Sequence, residues 1–190
     1  MWRAFLLLIF KVQYKHVMCR EAGIFGRMGA FHLRCICLER IEYMPGIVYV
    51  IEAIVILVDG ITKQLVQSHM SLGESIPIIP NIFHLTYIIN RGAAFGLFLN
   101  QQVMFVGVAV VLVIAVVYWR KQIREGSKSL QAGVGLLVGG AIGNAWDRIS
   151  NAGVVDFFDF RVWPIFNVAD IAICIGVACI MYALWNDRSE

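Results

Sequence analysis

Charged residues are scarce in this chain of 190 residues. Asp, Glu, Lys and Arg together make up 15% of it, against about 25% in soluble domains. Hydrophobic residues make up 59% of the chain, and the mean hydropathy is +0.74. This composition excludes an ordinary soluble domain and predicts an integral membrane protein. The length suits one helical bundle without a large soluble domain.

Patterns for binding metal or nucleic acid are also missing. The five cysteines show no ligand spacing with histidine, and Cys35-Ile-Cys37 is too closely spaced for a C-x-x-C motif. His69 and His84 lie far apart in sequence. No basic patch is interleaved with aromatic residues. We therefore expect no metal, no cofactor and no nucleic-acid partner.

Residues 1–43 differ from the rest of the chain. They carry seven Lys or Arg residues, and their longest apolar run, residues 4–10, is too short for a spanning helix of about 20 residues. No clear cleavage site of small residues follows that run. We expect Met44 to be the natural start of the protein, so that residues 1–43 are an over-called reading frame. The alternative is a basic cytoplasmic extension on the membrane surface, ahead of a membrane domain covering residues 44–190.

The hydropathy pattern predicts an all-α membrane protein, a four-transmembrane-helix bundle with a small extracytoplasmic β platform. The spans are expected at residues 47–66, 103–119, 130–149 and 164–184. Residues 67–102 contain proline, glycine and two short alternating pieces, 82–89 and 93–99, which predict strands.

The distribution of basic residues predicts the topology. The loop between spans two and three carries Arg120, Lys121, Arg124 and Lys128, whereas residues 67–102 carry only Arg91. The positive-inside rule places that loop in the cytoplasm. Both termini are then cytoplasmic, and residues 67–102 and 150–163 lie on the outer side.

Span three carries Gly135, Gly139 and Gly143 at intervals of four residues. A stripe of small residues lets a second membrane helix approach closely. We interpret these glycines as a packing feature that brings Asn144 and Asp147 against a neighbouring helix.

Two Asn-x-x-Asp pairs, Asn144 with Asp147 and Asn167 with Asp170, have the spacing of residues on one helix face. The asparagines are expected to join helices or to orient the carboxylates. Asp147 is expected to form an ion pair with the adjacent Arg148. Asp59 precedes Lys63 by four residues, the favourable helical order for an ion pair.

Asp156 and Asp170 have no basic residue close in sequence. Placing a carboxylate within the membrane costs free energy, so a carboxylate found there is expected to have a function. Asp170 is expected one to two turns inside the last span and Asp156 at the water edge, where Asp159 is an alternative to it. If the two carboxylates meet, they share one proton, a state that suits peptide hydrolysis. The residues alone leave a proton or ion pathway equally open.

Five motifs together resemble the lipoprotein signal peptidase (signal peptidase II) family over about residues 44–185. In chain order they are Asp59-Gly-Ile-Thr62-Lys63, Asn90-Arg-Gly92-Ala93-Ala94-Phe95-Gly96, Gly139-Gly140-Ala141-Ile142-Gly143-Asn144-Ala-Trp-Asp147-Arg148, Gly153-Val154-Val155-Asp156-Phe157 and Phe166-Asn167-Val168-Ala169-Asp170.

The resemblance implies an aspartic endopeptidase of the bacterial inner membrane. Such an enzyme removes the signal peptide of a prolipoprotein just before a cysteine modified with diacylglycerol. By motif match, Asp156 and Asp170 would be the catalytic dyad. The supporting or substrate-binding positions would be Asp59, Asn90, Asn144, Asp147, Arg148 and Asn167. We expect membrane lipids as further partners and a monomeric enzyme.

The sequence is also consistent with two other functions. A small proton-coupled transporter would use Asp59, Asp147 and Asp170 as a relay, although the chain lacks the inverted repeat of many such folds. A membrane assembly factor without enzymatic activity would use its polar residues only to hold helices together, and would tolerate Asp→Asn changes.

Overall fold

A computed structural model of the chain describes residues 44–92 and 101–186. The expectations for residues 1–43 and for a strand at 93–99 therefore lie outside the described residues. The described part is mostly helical and has one small sheet. Its elements are α1 (Gly46–His69), β1 (Ser75–Ile79), β2 (Phe83–Asn90), α2 (Gln102–Tyr118), α3 (Arg120–Glu125), α4 (Lys128–Asn151), β3 (Val154–Asp159) and α5 (Val168–Asn186).

Four long helices form where the sequence predicts spans. Within the described residues only α5 is both long and apolar enough to cross a membrane by length and composition, and α2 is apolar but shorter. Helix α1 carries the charged residues Asp59 and Lys63, both buried in the protein interior. Helix α4 buries Asn144 and Asp147 along with five glycines, which lowers its hydropathy. The polar groups of α1 and α4 lie on inward faces, where they are paired or hydrogen-bonded. This explains why these two helices are less apolar than α2 and α5.

The predicted glycine stripe of α4 packs against α1, which confirms its interpretation as a packing feature. A Cβ atom added at Gly135 would lie 2.9 Å from the Val48 carbonyl oxygen, and one at Gly143 would lie 2.7 Å from Asp59 Oδ2. On another face of α4, a Cβ at Gly140 would lie 2.5 Å from the carbonyl oxygen of Ala169 in α5. The glycines thus let α1 and α5 pack closely along α4, and Gly140 and Gly143 do so beside the polar residues.

The sheet has the order β1-β2-β3 with antiparallel neighbours. Strand β2 confirms the strand predicted at 82–89. Strand β3 was not predicted, because both of its faces are largely buried and its sequence shows no alternation of polar and apolar residues. A register shift between Leu85 and Ile88 interrupts its pairing with β2, and beyond it Asp156 pairs with Ile88.

Two clusters of apolar side chains hold these elements together. One joins the helices near the beginning of α1, around Val48, Val134 and Val138. The other joins the end of α1 to the sheet through Val66, Tyr87, Val155 and Phe157. The second cluster fixes β3 beside the last turns of α1, and so fixes the position of Asp156.

Candidate active site

Asp156 and Asp170 approach each other through Asn167, which contacts both. The Asn167 side-chain amide donates to Asp156 Oδ1 at 2.6 Å, and its backbone N–H donates to Asp170 Oδ2 at 3.3 Å. Asp156 comes from β3 and Asp170 from the beginning of α5. The fold therefore brings the two carboxylates together across a loop.

Asp156 is buried, with 1% of its surface exposed, and does not lie at an open water edge as expected. Its two oxygens accept hydrogen bonds from uncharged amides, Asn167 on Oδ1 and Asn90 on Oδ2 at 3.0 Å. Burial and then the nearby Asp170 carboxylate raise the pKa of Asp156 to about 7, against the opposing effect of the two amides. The Asp156 carboxyl is thus able to hold a proton near neutral pH.

The Asn167-x-x-Asp170 spacing is a reciprocal cap at the start of α5, and not a shared helix face as predicted. Asn167 Oδ1 accepts from the Asp170 N–H at 2.9 Å, while Asp170 Oδ2 accepts from the Asn167 N–H. This is the geometry of a capping box, in which the residue before the helix and the third helical residue bond to each other. Asp170 therefore lies in the first turn of α5, and the expected depth of one to two turns is wrong.

Asn144 of α4 holds Asp170 from the other side. Its amide Nδ2 donates to Asp170 Oδ1 at 2.7 Å, so that both oxygens of Asp170 are hydrogen-bonded. The Asn144 Oδ1 atom accepts from Asn167 Nδ2 at 3.2 Å. Asn144 and Asn167 are both buried. The two asparagines consequently form one amide network around the carboxylates.

A buried cation, Lys63, lies behind this network. Its Nζ is 2.7 Å from Asp59 Oδ2 and 2.9 Å from Asp147 Oδ2, and it donates to Asn144 Oδ1 at 3.2 Å. The ion pair between Asp59 and Lys63 agrees with the sequence prediction. The predicted pairing of Asp147 with Arg148 is wrong, since adjacent helical residues point in different directions and Asp147 pairs with Lys63.

Asp59 and Asp147 also hold backbone groups of the site. Asp59 Oδ1 accepts from the Ala169 N–H in the first turn of α5 at 2.9 Å. Asp147 Oδ2 accepts from the Val155 N–H in β3 at 3.1 Å. Each carboxylate thus fixes the backbone one residue before Asp170 or Asp156.

Arg148 lies at the rim, with its guanidinium 4.5 Å from the centre of the Phe105 ring. It donates to the carbonyl oxygens of Asn144, at 3.1 Å, and Gly92, at 3.4 Å. Its Nε is buried and has no hydrogen-bond partner among the described residues. A guanidinium N–H that no described residue accepts is suited to bind a carbonyl oxygen.

Asp159, the alternative to Asp156, belongs to a different environment. Its carboxylate accepts from the Thr86 hydroxyl at 2.8 Å, and from the backbone and guanidinium of Arg161 at 2.8 and 3.0 Å. Burial opposes ionisation of Asp159, but these bonds outweigh it and lower the pKa of the carboxyl. A carboxylate that is ionised and paired in this way is a poor acid or base.

All eight residues selected from the sequence lie in or beside this cluster. The residue whose contacts the sequence did not reveal is Lys63, which was placed only in a local ion pair with Asp59. The sequence feature that could have indicated a role for Lys63 in the site is its position in the Asp59-Gly-Ile-Thr62-Lys63 motif. Among the described residues, no three or more His, Cys, Asp or Glu side chains are grouped so that they could hold a metal ion.

Comparisons with known proteins agree on one family. Residues 51–186 match the family "Signal peptidase (SPase) II". A lipoprotein signal peptidase of Pelotomaculum thermopropionicum is 48% identical over 142 residues, which are 75% of this chain and 93% of the relative. One of Brevibacillus brevis is 45% identical over 146 residues, 75% of this chain and 97% of the relative. Nothing in these matches favours a transporter.

A solved structure described as a bacterial membrane enzyme, determined by the in meso method, has the same fold. It superposes with a TM-score of 0.72 at 34% identity, covering 78% of this chain and 93% of that structure. This chain therefore belongs to the signal peptidase II family of lipoprotein signal peptidases, and it is a bacterial membrane protein with peptidase activity.

Proposed function

We propose that Asp156 and Asp170 are the catalytic dyad with which this enzyme cleaves prolipoproteins. The substrate is a prolipoprotein already modified with diacylglycerol, cut before the lipidated cysteine. The observation that carries the proposal is the position of Asn167, hydrogen-bonded to both carboxylates at once. Such a bridge keeps the two acids close to each other, and the negative charge of Asp170 helps to raise the pKa of Asp156.

The environments of the two carboxyls suggest a division of work. Asp156 is buried and has a pKa of about 7, so it holds the shared proton. Asp170 is more exposed and lies in the first turn of a helix, where negative charge is stabilised. In the proposed step Asp170 accepts a proton from water, the water oxygen attacks the scissile carbonyl carbon, and Asp156 protonates the carbonyl oxygen. Asp170 then transfers its proton to the leaving nitrogen, Asp156 takes a proton back from a hydroxyl group of the intermediate, and the C–N bond breaks.

The remaining site residues hold or extend the dyad. Asn90, Asn144 and Asn167 donate hydrogen bonds to its carboxylate oxygens. Asp59 and Asp147 fix the backbone beside Asp170 and Asp156. Arg148 is proposed to contact the substrate through its guanidinium group, whose Nε has no partner among the residues that the structure describes.

The same site suggests an orientation in the inner membrane. Lys128, in the basic segment that also includes α3, lies 16 residues before Asn144 on the same helix. At 1.5 Å per residue this separation is about 24 Å, most of the thickness of a hydrocarbon core. We propose four spans, formed by α1, α2, α4 and α5, with the basic end and both termini in the cytoplasm. The dyad and the sheet then lie at the outer face, where water and the substrate's acyl chains both reach them.

The proposal also includes the organisation of the chain. Residues 44–190 form the peptidase domain, which contains the whole family match at 51–186. Residues 1–43 are a basic extension or an over-called start. We propose that the enzyme acts as a monomer among membrane lipids.

The test is cleavage of a diacylglyceryl-modified prolipoprotein by purified variants in detergent. Asp156→Asn and Asp170→Asn, made separately, are each expected to lower kcat by about 10²–10⁴-fold, the usual contribution of acid–base catalysis. Asp159→Asn is the matched control on the same strand and should cleave at nearly the wild-type rate. Normal cleavage by either dyad variant would reject the proposed mechanism.

A further inference from the structure

Lys63 connects the ion pairs with Asp59 and Asp147 to the asparagine network around the two catalytic carboxylates. It is 2% exposed, and its ammonium contacts Asp59 on its own helix together with Asp147 and Asn144 on α4. The first two contacts are ion pairs. The third contact reaches a residue that itself holds a carboxylate of the dyad, Asp170.

The third contact determines how the Asn144 amide is oriented. An ammonium group only donates hydrogen bonds, so the Asn144 atom facing Lys63 must be the carbonyl oxygen. The amide nitrogen is then directed at Asp170, to which it donates at 2.7 Å. Without a donor at Lys63, the Asn167 amide alone would hold the Asn144 oxygen in place, at 3.2 Å.

We propose that Lys63 is a positioning residue of the peptidase reaction, which acts through Asn144 to hold Asp170 and supplies the buried positive charge that keeps the dyad singly protonated. This inference rests on the proposed function, because it assigns Lys63 to the dyad of Asp156 and Asp170. It assigns Lys63 a role beyond its ion pairs.

The charges around Lys63 explain why one cation matters. It faces Asp59 on α1 and Asp147 on α4, with the two dyad carboxylates just beyond and Arg148 at the rim. Burial is the main reason that the pKa of Asp156 is raised, and the Lys63 charge acts against it. Loss of that charge leaves four carboxyl groups around one buried site.

A purely structural role makes a different prediction. A buried ion pair adds little net stability over apolar residues of similar volume, although removal of one partner is costly. If Lys63 only joined helices, its loss would lower stability and the amount of folded enzyme, but the folded fraction would keep the pH dependence of the wild type. The pH profile therefore separates the two roles.

The test compares the pH–rate profiles of variants on the same lipidated prolipoprotein substrate. For Lys63→Met we expect a lower kcat, and a profile displaced to higher pH by about one unit or more, because removal of a nearby positive charge favours protonated carboxyls. Asp59→Asn removes a negative charge and leaves one acceptor oxygen, where the carboxylate has one for the Ala169 N–H and one for Lys63. Its profile should move the opposite way, to lower pH.

Two further variants serve as controls. Lys63→Arg keeps the charge and the donors, and should retain a profile close to that of the wild type at a reduced rate. Lys121→Met removes an exposed lysine of α3, and should change neither rate nor profile. If Lys63→Met does not fold, the direction of the Asp59→Asn displacement decides.

Unchanged profiles in folded Lys63→Met and Asp59→Asn, or displacement of both in one direction, would overturn the inference. The proposed function fails separately, and only if Asp156→Asn or Asp170→Asn remains active. Inactive dyad variants with an unmoved Lys63→Met profile would leave the peptidase mechanism intact and remove Lys63 from it.

Discussion

Strand β3 carries two aspartates three residues apart, Asp156 and Asp159, whose surroundings differ in almost every respect. Both are buried, with 1% and 4% of their surfaces exposed. The odd spacing directs them to opposite faces of the strand. Asp156 faces Asn167 and the Asp170 carboxylate of α5, whereas Asp159 faces Thr86 and Arg161.

The comparison shows that burial alone does not make a carboxyl reactive. The partners of Asp156 are two uncharged amides and a second carboxylate, so burial prevails and its pKa rises to about 7. The partners of Asp159 are an Arg161 guanidinium, a backbone N–H and a hydroxyl, and despite burial its pKa falls. The sign of the shift follows from the sum of burial, hydrogen bonds and charges. At Asp159 the Arg161 N–H lowers the pKa most, followed by the Thr86 hydroxyl and then the Arg161 guanidinium.

To compare Asp156 with Asp159, a hydrogen-bond donor can be removed from each carboxylate separately. The larger effect is expected at Asp156, whose donor is Asn167. Asn167→Ser keeps a residue that caps a helix well but is too short to bridge Asp156 and Asp170. Loss of one preorganised donor should lower kcat by about 10²–10³-fold. The measurement is the steady-state cleavage rate, with the thermal unfolding temperature recorded in parallel.

Thr86→Val is the matched change at the other carboxylate. It removes the hydroxyl that donates to Asp159 Oδ2 and keeps nearly the same volume. A lost hydrogen bond should cost about 1 kcal/mol of stability, with little effect on the cleavage rate. If Thr86→Val lost as much activity as Asn167→Ser, the division between a reactive and a structural carboxylate would be wrong.

The pH dependence of stability sharpens the comparison, because the two pKa shifts have opposite signs. The Asp156 pKa is about 7 in the folded protein and has an ordinary value of 3.8. The folded state therefore loses stability, relative to Asp156→Asn, as the pH rises between these values, by a few kcal/mol in total. Above about pH 7 the difference should become constant.

For Asp159 the sign is reversed. A lowered pKa contributes stability above the ordinary value of 3.8, and this contribution disappears as the pH falls through the folded-state pKa. Asp159→Asn should therefore be less stable than the wild type near neutral pH and approach it in acid. Thermal unfolding of the three proteins across a pH series is the measurement, and the same trend in both variants would contradict the assigned environments.

Much of this arrangement could be predicted from local sequence. Apolar runs predicted the four long helices to within a few residues, and the alternation of 82–89 predicted β2. The interval of four between Gly135, Gly139 and Gly143 predicted close helix packing, which the structure confirms. These features depend on residues near each other in the chain, where spacing translates directly into a shared face.

What escaped prediction depends on distant residues or on a helix boundary. Lys63 and Asn144 are 81 residues apart, and nothing local in either motif indicates that they bond. The spacing of Asn167 and Asp170 has two structural meanings, a shared helix face or a reciprocal cap. Only the position at which α5 begins distinguishes them. Strand β3 lacked a pattern because it is buried on both faces.

The smallest expected effect concerns the Arg161 side chain, which pairs with Asp159 and has no counterpart at Asp156. Arg161 has a φ of 65°, in the left-handed region, where a residue other than glycine is strained by about 1 kcal/mol. Its guanidinium is half exposed, and such an ion pair contributes about 0–1 kcal/mol. Arg161→Gly loses the pair but relieves the strain, whereas Arg161→Ala loses the pair and keeps the strain.

We therefore expect Arg161→Gly to be nearly as stable as the wild type, and Arg161→Ala to be less stable than either by up to about 1 kcal/mol. Equilibrium unfolding in detergent at low and high salt is the measurement. The stability difference between the wild type and each variant should shrink at high salt, because screening weakens the exposed ion pair. The difference between the two variants should stay the same, because salt leaves backbone strain unchanged. Equal stability of the two variants would show that the strain is relieved elsewhere in the loop, and that Asp159 is held mainly by Thr86 and the Arg161 N–H.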